Sequence, residues 1–124
     1  MPFEAVRKIF AVLWGLEITP AALVGFEKQL VATGRPFYEQ IADLTACSPE
    51  LNIDETSWPE GKIIKWLWTF VARRQILFKI AASRSGEVIR DVFGQAYNGV
   101  LGSDCFSAYN TITAKAKQKM PRPL

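Results

Sequence analysis

Histidine is absent from this 124-residue sequence, and cysteine occurs only as Cys47 and Cys105. Without an imidazole, the chain cannot pair histidine with a serine or cysteine nucleophile, use it as a general base or build most zinc sites. The two cysteines fit no metal-binding or redox spacing, which predicts two thiols in a reducing compartment. These absences exclude the commonest histidine- and cysteine-based sites.

Long apolar runs are also missing. The longest in the second half of the chain, residues 66–72, is far too short to cross a bilayer. Residues 9–16 follow two basic residues, as in a signal peptide, but an amphipathic helix explains them better than a cleaved leader. With 49% hydrophobic and 22% charged residues, the composition predicts a globular protein with no membrane partner, and we expect it in the cytoplasm.

Acidic residues are scarce towards the end of the chain. Residues 1–50 carry four Lys/Arg and six Asp/Glu, whereas residues 51–124 carry eleven and six. No acidic residue follows Asp104, but four basic ones do: Lys115, Lys117, Lys119 and Arg122. Such a basic half is typical of a protein that binds a polyanion, and it is equally typical of an ordinary solvated tail.

Helical periodicity dominates the first part of the chain. Apolar residues recur at helical spacing over residues 3–14, and Gly15 follows as a helix end. Thr19-Pro20 is a helix start, with a hydroxyl cap before a proline at the first helical position. Gly34-Arg35-Pro36 predicts a break or a kink in this second helix, followed by a third helical piece over residues 37–46.

The period changes at Leu51. Four strand-like runs follow at residues 51–56, 63–72, 75–81 and 100–103, with helical runs at 85–94 and 106–119. Strands two and three predict an antiparallel hairpin, and strand four, reached through a crossover helix, should be parallel to a strand of the sheet. We therefore predict two parts, a helical lead at residues 1–50 and an α/β domain with a mixed sheet at residues 51–124.

Large aromatic residues gather on one face of the second strand. Its even positions are Ile64, Trp66, Trp68 and Phe70. Exposed tryptophans in a row would form a base-stacking platform for nucleic acid. Aromatic residues also dominate hydrophobic cores, and we expect this face to pack against the two helices that follow.

Two carboxylates, Asp54 and Asp104, each end a short apolar run. Because successive side chains of a strand point to opposite faces, Asp54 and Glu55 cannot both face one site. Two strand-end carboxylates brought together across a sheet would bind a divalent metal ion through oxygen. The alternative is that both are solvated acids at strand ends.

Four short motifs follow one another over residues 51–110. Asp54-Glu55-Thr56-Ser57-Trp58 resembles a D-E-T-G-W motif, with serine in place of glycine, and Trp66-Leu67-Trp68 resembles a W-L-W strand. Residues 83–88 resemble S-R-x-x-E-V, and residues 103–110 resemble S-D-x-x-x-A-Y-N. Together they resemble the insertion sequence sixty-six family of bacterial transposases. The order of strands and helices resembles the ribonuclease H-like fold of retroviral integrases and DDE transposases.

The resemblance implies an incomplete ribonuclease H-like domain, with strand four beside strand one and the hairpin strands on the far side of strand one. Its function would be DNA cleavage and strand transfer at transposon ends by metal-assisted phosphodiester chemistry. Asp54 and Asp104 would be its catalytic residues and would bind Mg²⁺ or Mn²⁺. The family's third metal ligand is a glutamate on a later helix. It has no counterpart here, because no Asp or Glu occurs from Cys105 to Leu124.

Three functional interpretations follow from that missing acid. The first is a truncated transposase fragment that is inactive alone. The second is a non-catalytic protein that binds DNA, an intact transposase or another copy of itself. The third is a decayed remnant without function. A generic metal nuclease fits less well, because it would lack the same carboxylate.

Overall fold

The computed structural model describes residues 2–94, residues 96–103 and the backbone of residues 113–119. The chain forms two compact units, Met1–Phe37 and Tyr38–Leu124. Helix α2 (Pro20–Ala46) runs through the boundary between them. The division into a helical lead at residues 1–50 and a catalytic part at residues 51–124 stays a prediction.

The first unit begins with helix α1 (Phe3–Trp14), as the apolar periodicity predicts. Gly15 ends the helix in the left-handed conformation (φ 64°) and donates its N–H to the Ala11 carbonyl at 3.0 Å. Glu4 and Arg7 form an ion pair one turn apart, which lowers the pKa of the Glu4 carboxyl. Glycine thus closes α1 in the conformation that its missing Cβ permits.

Helix α2 starts where Thr19-Pro20 predicts it, and the Thr19 Oγ1 accepts a hydrogen bond from the Ala22 N–H at 3.2 Å. Of the break or kink predicted at Gly34-Arg35-Pro36, the break is wrong, because Pro36 lies inside one continuous helix. A proline removes one helical N–H and crowds the carbonyl four residues earlier, here that of Ala32. Since this stretch is exposed, that carbonyl can turn to water, and the helix continues.

The second unit is built around a five-stranded mixed sheet. Its elements are β1 (Glu50–Glu60), β2 (Ile63–Val71), β3 (Ile76–Ala81), α3 (Glu87–Phe93), β4 (Ala96–Ser103) and β5 (Thr113–Lys119). The strand order is β3-β2-β1-β4-β5. Strands β1, β2 and β3 pair antiparallel, whereas β4 is parallel to β1 and to β5. The predicted α/β class, the hairpin and the place of strand four beside strand one are confirmed.

Strand β1 is longer than its apolar pattern predicts. Residues 58–60, which lie beyond the strand predicted at residues 51–56, pair with β2, and the turn falls at Gly61, which has a φ of 61°. Pro59 pairs with Ile64 without interrupting the ladder. A strand can accommodate a proline where the missing N–H would point away from the neighbouring strand.

The predicted helix over residues 106–119 is wrong for residues 113–119, which form β5; residues 106–112 lie outside the described residues. The segment is rich in alanine and lysine, both good helix formers. Its backbone instead pairs with the edge of β4. Ladder hydrogen bonds to a neighbouring strand therefore override a weak local preference.

One face of the sheet, called the core face below, carries the hydrophobic core. Trp68 and Phe70 are 0% exposed there, and the Phe70 ring meets the Phe93 ring of α3 edge-on at 5.4 Å. Two α3 residues, Val88 and Ile89, are also buried. The core interpretation of the β2 aromatic face is therefore confirmed for its last two residues, Trp68 and Phe70, whereas Ile64 at the other end is 64% exposed.

The opposite face, called the open face below, is exposed along β1 and β3. The even residues of β3 share a face as their alternation predicts, but it is the open face: Ile76, Phe78 and Ile80. Leu77 of the same strand is buried on the core face. At the outer edge of β3, the Tyr38 hydroxyl of α2 donates to the Phe78 carbonyl at 2.9 Å.

Candidate functional site

Asp54 lies on the open face of β1, opposite Thr69 of β2, and is exposed. Its Oδ1 accepts a hydrogen bond from the Glu55 backbone N–H at 3.0 Å. Leu51 and Ile53, which flank it in the strand, are buried on the other face. The pleat therefore presents Asp54, rather than its neighbour Glu55, to a ligand on the open face.

Glu55 lies on the core face, and its side chain is only 1% exposed. Its Oε1 accepts hydrogen bonds from Arg84 Nε at 3.0 Å and Nη2 at 2.7 Å. The same guanidinium stacks over the Trp66 ring, 4.6 Å from its centroid. These contacts join three of the motifs found in the sequence, because each side chain comes from a different one.

Sequence reasoning missed this ion pair because its partners are 29 residues apart. The alternation of β1 nevertheless indicates that Glu55 faces the core. A carboxylate on a core face needs a cation, and Arg84 is the basic residue in the loop that leads into α3. The motif around Arg84 thus has a structural explanation in the part of the chain that the structure describes.

Strands β1 and β4 pair through Glu50–Val100, Leu51–Leu101 and Asn52–Gly102. The Asn52 side chain lies so close to Gly102 that a Cβ there would collide with its Oδ1. Ser103, the last described residue of β4, is buried. Asp104 follows it directly but lies outside the described residues, so the structure locates one of the two predicted metal ligands.

A shallow cavity of about 240 Å³ opens beside this part of the sheet. Its lining comes from the start of β1, the end of β2 and β4, and includes Glu50, Asn52, Arg73 and Gly102. Asp54 is the next residue after Asn52 on the same face, so the cavity adjoins Asp54 without containing it. Among the described residues, no group of three or more acidic or cysteine side chains could hold a metal ion.

Tyr97 fixes β4 against the segment before β1. Its hydroxyl donates a hydrogen bond to the Ser48 carbonyl, and the Val100 N–H donates to the Pro49 carbonyl at 2.9 Å. Burial, together with the negative charge of Glu50, raises the pKa of the Tyr97 hydroxyl. These two hydrogen bonds therefore stabilise the register between β4 and β1 in addition to the hydrogen bonds between the strands.

The family model described as Transposase IS66 family matches residues 1–121. No curated protein and no solved structure matches the chain. In the described parts of the chain, no helix combines the length and apolar character needed to span a membrane.

Proposed function

Because the chain belongs to the IS66 family of transposases, we propose that its sheet is the metal-binding part of a ribonuclease H-like domain that cleaves and joins DNA. The strand order supports this, with an antiparallel β1-β2-β3 meander on one side of β1 and a parallel β4 on the other. The same order was expected from the resemblance. The substrates would be DNA phosphodiesters at transposon ends.

The register between β1 and β4 carries the proposal. Each observed pair joins residues whose numbers differ by fifty: Glu50–Val100, Leu51–Leu101 and Asn52–Gly102. Asp54 and Asp104 are separated by the same fifty positions. A parallel ladder continued in this register would bring the two carboxylates to neighbouring positions on one face, since side chains repeat every second residue.

The described residues supply part of the oxygen-ligand set that a hard cation needs. Asp54 offers a carboxylate on the open face, and Mg²⁺ or Mn²⁺ takes oxygen ligands while keeping several waters. When bound between Asp54 and Asp104, such an ion would polarise the phosphodiester and activate the attacking hydroxyl. Glu55 would contribute indirectly, because its N–H holds Asp54 Oδ1 and its side chain is fixed by Arg84.

Catalysis in this family requires a third carboxylate, which this sequence does not supply after Asp104. With two carboxylates the chain would bind a metal ion weakly but would not fix a pair of ions around a phosphate. We therefore expect no strand cleavage by this chain alone. Its basic second half would still give weak, salt-sensitive binding to DNA.

The proposal is tested by titrating Mn²⁺ into the purified chain and measuring the bound fraction by electron paramagnetic resonance. Asp54→Asn and Asp104→Asn should each abolish the weak site. Asp43→Asn is the matched control, because Asp43 is an exposed acid on α2, and it should bind Mn²⁺ like the unaltered chain. Binding that survives Asp54→Asn, or an equal loss in all three variants, would contradict the proposal.

A further inference from the structure

Trp58 lies near the tip of the β1–β2 hairpin with 43% of its surface exposed. The tryptophans of β2 are not available in this way, since Trp68 is fully buried and Trp66 is covered by the Arg84 guanidinium. Trp14 is exposed, but it belongs to α1 in the other unit. Trp58 is therefore the exposed indole of the unit that contains Asp54.

Trp58 shares the open face with Asp54. The β1–β2 pairing runs without a register shift from Asn52–Val71 to Glu60–Ile63, so even residues of β1 stay on one side throughout. At a rise of about 3.3 Å per residue, four residues place Trp58 about 13 Å from Asp54 along the strand. A stacked DNA strand covers that distance in about four bases, at about 3.4 Å each.

We propose that Trp58 stacks on an unpaired base of the DNA strand whose phosphate lies at Asp54. This inference rests on the proposed function, because it takes Asp54 as the position of the phosphate. The indole face would meet the face of a nucleobase, a contact that tolerates any sequence. The strand would then run along the open face of β1.

The charges around Trp58 fit a nucleotide. Lys65 lies directly across the ladder from Trp58, and its ammonium also forms an ion pair with Glu60. Lys62 is exposed in the turn, and among the described residues no carboxylate lies within 4 Å of its ammonium. Two lysines beside an exposed indole provide cations for phosphates together with a surface for a base.

The neighbours of Trp58 combine polar and apolar side chains. Thr56 and Glu60 precede and follow it on the open face, and Lys65 is opposite. The diagonal positions, Ile63 and Leu67, are aliphatic. A nucleotide likewise combines an apolar base face with polar edges and a charged phosphate.

The test measures binding of a short fluorescent single-stranded oligonucleotide to the full chain by anisotropy, in EDTA so that no metal ion contributes. Trp58→Ala should weaken binding about tenfold, within the range for loss of one stacked base. Trp58→Phe should retain most of the affinity, because it keeps an aromatic face. Trp14→Ala is the matched control, another exposed tryptophan, and should not change the affinity.

Two further measurements identify the contact. An oligonucleotide of abasic sites should bind the unaltered chain and Trp58→Ala equally, because it offers no base to stack on. The slope of affinity against salt should be the same for both proteins, since stacking neutralises no phosphate. Trp58→Leu serves as a second non-aromatic variant should Trp58→Ala fail to fold, and it should also lose about tenfold.

The outcomes separate this inference from the proposed function. If the unaltered chain bound no DNA, both would be wrong. If it bound DNA and Trp58→Ala matched Trp14→Ala, only the stacking contact would be wrong. If Trp58→Ala left DNA binding intact but dissociated a dimer in light scattering, Trp58 would be a contact between copies of this chain, which would overturn the inference.

Discussion

The ion pair between Glu55 and Arg84 should be the costliest electrostatic contact to remove from the described part of the sheet. Its carboxylate is 1% exposed, and two guanidinium nitrogens donate to one oxygen at 3.0 and 2.7 Å. Hydrogen bonds to a charged group contribute about 1.5–3 kcal/mol each. Arg84 is 40% exposed, so water screens the pair, and we expect a coupling energy of about 2 kcal/mol.

A double-mutant cycle measures this coupling through Glu55→Gln, Arg84→Met and the double variant, each unfolded in urea. Arg84→Met should be the more destabilising single change, because it removes the guanidinium from a carboxylate that is shielded from water. It also removes the guanidinium–indole contact with Trp66, worth about 0.5–1 kcal/mol at an exposed site. For a unit of this size, a loss of about 2 kcal/mol lowers the melting temperature by roughly 10 °C.

The matched control is the ion pair between Lys79 and Asp91, which joins β3 to α3 within the same unit. Its nitrogen and oxygen are 3.4 Å apart, and the Asp91 side chain is 66% exposed. Exposed pairs couple by about 0.2–1 kcal/mol, so the cycle with Lys79→Met and Asp91→Asn should give the smaller value. Equal coupling in the two cycles would refute the reasoning that burial strengthens the Glu55 contact.

Three other predictions follow from the core, from β4 and from the candidate site. Trp68→Ala should lower the free energy of unfolding by about 3–5 kcal/mol in urea denaturation, because Trp68 is 0% exposed; a stable variant that had lost only DNA affinity would contradict its core role. The raised pKa of Tyr97 means that the folded state holds this proton more tightly. Its contribution to stability is therefore complete below the ordinary tyrosine pKa of about 10 and lost above the folded pKa, so Tyr97→Phe should lose less stability at high pH than the unaltered chain. Finally, labelled transposon-end DNA should stay intact with Mg²⁺ or Mn²⁺, and cleavage that disappeared in Asp54→Ala would show this expectation wrong.

The β2–β3 hairpin and the parallel direction of β4 could be predicted because they follow from connection rules, whereas the place of β4 beside β1 followed from the family resemblance. A short link makes β2 and β3 a hairpin, and a helix before β4 makes that strand parallel. The alternation of a strand also predicts that Asp54 and Glu55 face opposite sides of the sheet, since adjacent residues must point in opposite directions. These inferences use only local chain geometry.

Other features depend on tertiary contacts, which local patterns do not reveal. The partner of Glu55 lies 29 residues away in a loop, and no periodicity indicates it. Strand β5 forms because β4 has an edge to pair with, although its own residues favour a helix. The continuity of α2 through Pro36 likewise depends on the solvent exposure of the surrounding helix. That exposure cannot be derived from the local sequence pattern. Asp104 lies outside the described residues, so its place beside Asp54 stays a prediction.

The hydrogen bond from Tyr38 to the Phe78 carbonyl has a consequence for how the sheet ends. Strand β3 is the edge strand on its side of the sheet. The unpaired backbone groups of an uncovered edge strand can pair with strands of other molecules and cause aggregation. A hydroxyl from α2 already occupies one acceptor that an incoming strand would need. Ile76, Phe78 and Ile80 are exposed on this strand, the composition that promotes aggregation. We therefore expect the Tyr38 hydroxyl to hinder strand addition at β3, and Tyr38→Phe should aggregate faster at high concentration.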